Sequence, residues 1–443
     1  MSVPKARDVK LTTHREKVVL VGGYRQGDLL PGEEPLEELE RLAETAGAQV
    51  VGKVVQNIKE VNPATYIGKG KVVEVKELAA ARGAKCALFD HDLMPGQAKA
   101  LDESSGLKVM DRTELILDIF ASRARSRMAK VQVGIALLNY RLPRLKRLWT
   151  HLERQEGGIG MRGGPGERQI EVDRRKIEKQ IDDLKQQLKE IEGRKERMVR
   201  SRSREHYLVS LVGYTNAGKS TLMRALTGEQ VLVEDKLFAT LDTKTSMLKL
   251  GGGNHVLLSD TVGFIRRLPH HLVASFHATL EEARMADLLL HVADASSPHV
   301  RGQIDAVNAV LKEVGCGDSE TLLVLNKIDA LKPAQELDFT MLKRDFVEAT
   351  PVSALRGEGL ERLRAEIRER ARDDAKPLTL AVHAGDGKML AFLATHFFED
   401  SREMDGETMI LRGRASREVL EKLLTAHSSL RILEGWEGKS DKF

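Results

Sequence analysis

The stretch Gly213-Tyr214-Thr215-Asn216-Ala217-Gly218-Lys219-Ser220-Thr221 constrains the fold of this chain more than any other feature. It has the form GxxxxGK followed by Ser, it succeeds the apolar run Tyr207 to Val212, and it precedes the helix-compatible run Thr221 to Leu226. A buried strand, a glycine turn and a helix start in that order wrap backbone N–H groups around phosphate oxygens, where the helix dipole favours negative charge. In such a loop Lys219 reaches the β- and γ-phosphates and Ser220 ligates Mg²⁺. A glycine turn before a helix can also arise by chance, but three further motifs follow it in order.

Asp260-Thr261-Val262-Gly263 comes after the apolar run His255 to Leu258. It reads as a strand end whose Asp holds Mg²⁺ through water and whose Gly263 approaches the γ-phosphate. Asn326-Lys327-Ile328-Asp329 follows the strand-like Leu322 to Leu325. Asp329 there can accept two hydrogen bonds from the N1–H and N2 amino group of guanine, a donor pair that adenine lacks, and such mismatches discriminate strongly. Ser353-Ala354-Leu355, after Val347 to Val352, can present a backbone N–H to guanine O6. Alone, NKID could be a loop with a surface Asp; in series with the phosphate loop it specifies GTP and GDP.

Between Lys219 and Asp260 the first switch is expected at Phe238-Ala239-Thr240-Leu241-Asp242. A Thr there ligates Mg²⁺ only while the γ-phosphate is present, so its loop orders and releases with hydrolysis. Thr240 is the preferred ligand, with Thr243 and Thr245 as competitors. The expected catalytic set is Lys219, Thr240 and Gly263, and the expected metal ligands are Ser220 and Thr240. Phe264 stands where Ras-like GTPases carry a water-orienting Gln, and a phenyl ring cannot hydrogen-bond that water. The unaided enzyme should be slow and need a partner. Asn216 has two open readings: a ligand for a K⁺ ion acting as an arginine finger does, or a loop hydrogen bond without metal.

At 443 residues the chain has room for about three domains. The net charge is only +4 (70 minus 66), so any attraction to nucleic acid must come from local clustering. No apolar run approaches ~18 residues, and the N-terminus lacks a signal-peptide pattern. Cys86 and Cys316 fall in separate regions beside apolar runs and read as buried thiols of a reducing cytoplasm, with no metal-ligand spacing of Cys or His.

In residues 1–112, strands at Lys17 to Gly22, Gln49 to Gln56, Cys86 to Asp90 and Leu107 to Met110 alternate with helices at Pro35 to Ala46, Lys71 to Arg82 and Gln97 to Ser104. This implies a small parallel α/β sheet. Within it Tyr66-Ile67-Gly68-Lys69-Gly70-Lys71 is either a second phosphate or RNA contact or a plain helix-entry turn. Residues 113–204 are expected to form an antiparallel helical hairpin. Its first helix runs from Thr113 to about Leu152, and nine basic residues lie between Ala121 and Arg154: Arg123, Arg125, Arg127, Lys130, Arg141, Arg144, Lys146, Arg147 and Arg154. Its second helix follows Gly166, with Ile177, Ile181, Leu184, Leu188 and Ile191 forming a coiled-coil seam. The tip, 156–167, holds six glycines and a proline. It could be a linker, and the basic face could simply be solvated. A side-chain-poor tip on a basic stalk also suits RNA, with Arg154, Gly157, Gly158, Arg162, Gly163, Gly164 and Arg168 as the expected contacts. The nucleotide domain is placed at 205–373 and a small C-terminal α/β domain at 374–443. In that domain strands are expected at Thr379 to His383 and Met409 to Arg412, and helices at Lys388 to Phe398 and Ser416 to Thr425.

GYTNAGKST at 213–221, FATLD at 238–242, DTVGFI at 260–265, NKID at 326–329, PATYIGKGK at 63–71 and GGIGMRGGPGE at 157–167 together resemble the HflX family of ribosome-associated GTPases. The resemblance covers roughly residues 15–370. It implies a GTPase that binds the 50S ribosomal subunit and splits stalled or hibernating 70S ribosomes. It also implies a hairpin tip that reaches large-subunit rRNA near the peptidyl-transferase centre, and hydrolysis stimulated by the ribosome. A monomer in the cytoplasm is expected, with peripheral association at a membrane left open. Two other functions share the motifs: a large-subunit assembly or rRNA-remodelling GTPase, and a GTP-dependent protein adaptor.

Overall fold

The computed structural model describes residues 16–29, 33–145, 165–228, 237–238, 243–251, 254–265, 277–416, 419–420, 423 and 430–434. These fall into two compact units. The first lies within Met1–Ile191, Glu234–Asp242 and Arg266–His277, and the second within Glu192–Val233, Thr243–Ile265 and Ala278–Phe443.

The first unit opens with the alternation β1 (Lys17–Tyr24), α1 (Glu37–Thr45), β2 (Gln49–Asn57), α2 (Lys69–Arg82), β3 (Cys86–Phe89), α3 (Pro95–Ser105) and β4 (Lys108–Asp111). The four strands are parallel in the order β2-β1-β3-β4. Central parallel strands are covered on both faces, so they read as unbroken apolar runs rather than alternating ones. Val18 to Val21 and Cys86 to Phe89 are such runs, and all eight residues are buried. Cys86 is a free thiol, as is the buried Cys316.

The single helix expected from Thr113 to Leu152 is instead two helices and a turn. α4 (Arg112–Arg123) stops at Ala124, whose ψ of 109° leaves the helical region, and α5 (Arg127–Arg141) restarts when Ser126 Oγ accepts the N–H of Ala129 at 3.0 Å. A 3₁₀ turn, Leu142–Arg144, follows. An N-cap hydroxyl satisfies one orphan donor and fixes a helix start even where apolar periodicity runs on through it. Arg144, one of the nine basic residues, is held inside the fold. Its Nη2 donates to Leu93 O at 2.7 Å and Asp111 Oδ2 at 3.1 Å, and its guanidinium lies 3.7 Å from the Tyr140 ring centre. It is therefore no part of a free basic face. The second long helix, α6 (Pro165–Glu205), has 41 residues and spans about 60 Å. None of its five seam residues is exposed, and a Cβ placed on Gly134 of α5 would lie 3.5 Å from Leu184 Cδ1.

In the second unit, β5 (Leu208–Gly213), α7 (Lys219–Thr227), β6 (Lys244–Gly251), β7 (Asn254–Asp260), α8 (His277–Arg284), β8 (Leu288–Asp294), α9 (Val300–Glu313), β9 (Thr321–Asn326), α10 (Glu336–Asp345), β10 (Thr350–Pro351) and α11 (Leu360–Asp374) build a six-stranded sheet. Its order is β10-β9-β8-β5-β7-β6, parallel except for β6. The order reverses at β5, so the loop after that strand opens at a switch point, where ligands of such sheets bind. Leu211, Leu222, Leu258, Leu290 and Val324 are buried in the core beneath it.

The chain ends in an antiparallel sheet of order β12-β13-β11-β14, from β11 (Lys376–His383), α12 (Gly387–His396), β12 (Phe397–Asp405), β13 (Thr408–Ala415) and β14 (Leu430–Glu434). Sequence reading missed β12 and β14 and carried α12 two residues too far, into Phe398. Among the described residues no helix is long and apolar enough to cross a membrane.

Candidate functional site

The loop between β5 and α7 turns sharply into the helix. Gly218 has φ +91°, and a Cβ there would lie 2.3 Å from Asn326 Nδ2, so position 218 admits glycine alone. Lys219 opens α7 and is buried, its Nζ donating to Gly213 O at 3.0 Å and Tyr214 O at 2.9 Å. Burial lowers its pKa to about 8 although the charge of Asp260 pulls the other way. The next residue, Ser220, donates its hydroxyl to Asp260 Oδ2 at 2.6 Å at the end of β7. A hydroxyl and a buried carboxylate side by side suit a hard divalent cation that keeps waters and phosphate oxygens as its other ligands. The residues present therefore fit Mg²⁺.

After Asp260 the chain lies along the phosphate loop. Thr261 Oγ1 donates to Leu211 O at 2.6 Å. The N–H of Thr215 donates to Phe264 O at 2.7 Å, and the N–H of Phe264 donates to Gly213 O at 3.0 Å. Between them Gly263 is so close that a Cβ would meet Lys219 Nζ at 2.8 Å and Thr215 Cα at 2.9 Å. The Phe264 ring is buried at 4 % exposure and offers no polar atom.

At the other end of the loop Asn326 acts as a stitch. Its Nδ2 donates to Ala217 O at 2.9 Å and its Oδ1 accepts the N–H of Ala354 at 3.0 Å, tying three loops together in a buried position. Ser353 Oγ donates to Asp329 Oδ1 at 2.5 Å and orients the carboxylate expected to read the base. Leu355 points outward, 75 % exposed. Lys327 has a left-handed backbone, φ +64°, and its Nζ lies 2.8 Å from Asp294 Oδ2. Asp294 was not anticipated. Its other oxygen accepts from Ser296 N at 3.0 Å and Ser296 Oγ at 2.6 Å. Asp294 faces Asn326 in register at the carboxyl ends of neighbouring parallel strands, the edge where such sheets gather their sites. A second polar residue ending a strand-like run was the available signal.

Of the expected first switch, only Phe238 is described. It has φ +54°, is 2 % exposed, and meets Phe120 edge to face with ring centres 4.6 Å apart. Ala239, Thr240, Leu241 and Asp242 lie outside the described residues, as do Arg154, Gly157, Gly158, Arg162, Gly163 and Gly164. Arg168 lies on α6. The two competitors for the metal have other positions. Thr245 is in β6 opposite Ser259, and the hydroxyl of Thr243 donates to Glu282 Oε1 at 2.8 Å while accepting from Lys195 Nζ at 2.9 Å.

Comparison with known proteins covers the same segments. Three family profiles match in succession: "GTP-binding GTPase N-terminal" over 33–121, "GTP-binding GTPase Middle Region" over 123–202, and "50S ribosome-binding GTPase" over 208–327. The GTPase HflX of Magnetococcus marinus is 46 % identical over 359 residues, 80 % of this chain and 82 % of that protein. The GTPase HflX of Escherichia coli is 43 % identical over 379 residues, 84 % of this chain and 87 % of that one. A GTP-binding protein of Sulfolobus solfataricus solved with GDP is 25 % identical with a TM-score of 0.42, covering 80 % of this chain and 98 % of that one. The chain binds and hydrolyses GTP as a member of the HflX family of GTPases.

Proposed function

We propose that this GTPase binds the 50S ribosomal subunit and, in its GTP state, splits stalled or hibernating 70S ribosomes into subunits. The observation that carries this is the match of 208–327 to 50S ribosome-binding GTPases, because that stretch supplies the phosphate loop and most of the surrounding site. Lys219 neutralises the β- and γ-phosphates, Ser220 and Thr240 would hold Mg²⁺ beside Asp260, and Asp329 selects guanine. Mg²⁺, when bound, offsets charge on the transferred phosphoryl group. Phe264 cannot orient the attacking water, so the chain hydrolyses GTP slowly until ribosomal groups complete the site. GTP and GDP forms must then differ in affinity for the ribosome, which makes binding switchable and hydrolysis the step that releases the protein.

In this reading residues 1–112, 113–204, 205–373 and 374–443 are the functional domains. The segment around 156–167, with Arg154, Arg162 and Arg168, contacts rRNA near the peptidyl-transferase centre. The protein acts as a monomer in the cytoplasm. Asn216, with φ +59° in the phosphate loop, suits either a K⁺ ligand or a loop hydrogen bond; comparing hydrolysis in K⁺ and Na⁺ separates the two.

The test is a sucrose-gradient profile of purified 70S ribosomes with the protein and GTP, a non-hydrolysable analogue, or GDP. Conversion to free subunits with GTP and with the analogue, but not with GDP, is expected. Large-subunit binding without splitting would replace this reading with an assembly factor. Absence from every ribosomal peak would replace it with an adaptor.

A further inference from the structure

Three distant pieces of chain meet at one polar contact that nucleotide chemistry does not account for. Lys195, on α6, donates from Nζ to Thr243 Oγ1 at 2.9 Å and lies 3.0 Å from Glu282 Oε1. Thr243 in turn donates to Glu282 Oε1 at 2.8 Å. The Lys195 side chain is 19 % exposed and that of Glu282 9 %. A carboxylate this buried is costly unless it is paired, so Lys195 and Thr243 are what allow it to be there.

The position of each residue gives the contact its meaning. Thr243 directly precedes β6 and follows the expected first switch, 238–242, by one residue. Glu282 lies on α8, the helix after the segment that continues from Gly263 and Phe264. We infer that Lys195 is a positioning residue for GTP hydrolysis, holding Thr243, the residue that follows the first switch, against Glu282 of α8 from a point on the long helix α6.

The consequence is entropic and specific to one nucleotide. Ordering a loop costs backbone freedom for every residue fixed. Holding Thr243 between Lys195 and Glu282 fixes the chain three residues after Thr240, so the reach of Thr240 to a γ-phosphate would start from a set point. GDP offers no γ-phosphate, so it does not draw on this restraint. A partner on α6 that shifts Lys195 would alter the preference for GTP over GDP, and by reciprocity GTP would alter the affinity for that partner. The inference rests on reading 238–242 as the first switch.

Four variants of the full chain test it by titration with GDP and a non-hydrolysable GTP analogue and by single-turnover hydrolysis. Lys195→Met is expected to weaken the analogue about tenfold, the effect of one hydrogen bond to a charged group felt in one state, with GDP affinity unchanged. Hydrolysis should slow with it, and Lys195→Arg should recover most of both. Lys195→Met leaves the Glu282 carboxylate without its cation, at a cost in stability, so Lys195→Met/Glu282→Gln removes both charges and should keep the GTP-selective loss. Equal losses for both nucleotides in the double variant, or none, would overturn the inference. Thr240→Ala separates the premise from the inference. If it shows no GTP-selective loss, the switch assignment fails; if it does and Lys195→Met does not, Lys195 has no positioning role.

Discussion

Two loops in this protein place glycine and lysine at the start of a helix after a strand, and they fold differently. At 213–220 the backbone turns through a left-handed Gly218, and Lys219 is buried with its ammonium folded back onto two loop carbonyls. At 66–71 the N-cap Gly68 is extended, φ −65° and ψ 150°, and its N–H is taken by Gln56 Oε1 at 2.9 Å. Lys69 there is exposed, and Lys71 pairs with Glu74 at 2.7 Å. In the second loop the Gly68 N–H is already taken and Lys71 is turned to a carboxylate, where in the first the buried Lys219 faces the loop itself. The letters that matter are those whose backbone the neighbouring strands leave no alternative, as Asn326 does to Gly218.

The strongest attack on that contrast is Lys219→Ala. It should weaken GTP and GDP binding by about a thousandfold, because a buried charge on phosphate is lost with nothing to replace it. Unchanged affinity in a fluorescent-nucleotide titration would remove this loop from the mechanism. Asp329→Asn should weaken GTP by about a hundredfold and shift preference towards xanthosine nucleotides, since two charge-assisted hydrogen bonds are at stake; retained GTP preference would count against Asp329.

A pH effect comes next. With its pKa lowered to about 8 by burial, Lys219 must take up a proton to bind phosphate above that pH. Nucleotide affinity should fall by up to about tenfold per pH unit above 8, with proton uptake visible by calorimetry in buffers of different ionisation enthalpy. Stability should move the other way. The unfolded chain holds more protons between about 8 and the ordinary lysine value of 10.5, so the penalty for burying this ammonium is full below pH 8 and fades as pH rises. The smallest effect belongs to the second loop. A methyl group added at Gly70 would meet nothing within 4 Å, so Gly70→Ala should leave nucleotide affinity within about twofold and raise stability by about 0.5 kcal/mol.

The strand–loop pieces were legible because each motif carries its own local geometry: an apolar run, then the residue types that a sharp turn or a strand end requires. The parallel alternation in 17–111 was legible for the same reason. What escaped depends on partners far away in sequence. The break at Ala124 to Ser126 is decided by a cap hydroxyl that the periodicity of the flanking helices hides. Arg144 counts as positive in the sequence, yet Asp111 and Leu93 hold it, 33 and 51 residues away. Asp294 and Glu282 carry no motif of their own and acquire a role only when register or packing brings Lys327 and Lys195 to them.

The length of α6 turns small events into large ones. Thirty residues separate Lys195 from the first residue of the helix, Pro165, a lever arm of about 45 Å at 1.5 Å per residue. Pivoting a stiff helix by about 5° at Lys195 would sweep that far end through about 4 Å, close to the spacing of stacked bases. A rearrangement around Lys195 too small to register as a change of fold would then displace Pro165 by several ångströms, by mechanical advantage alone.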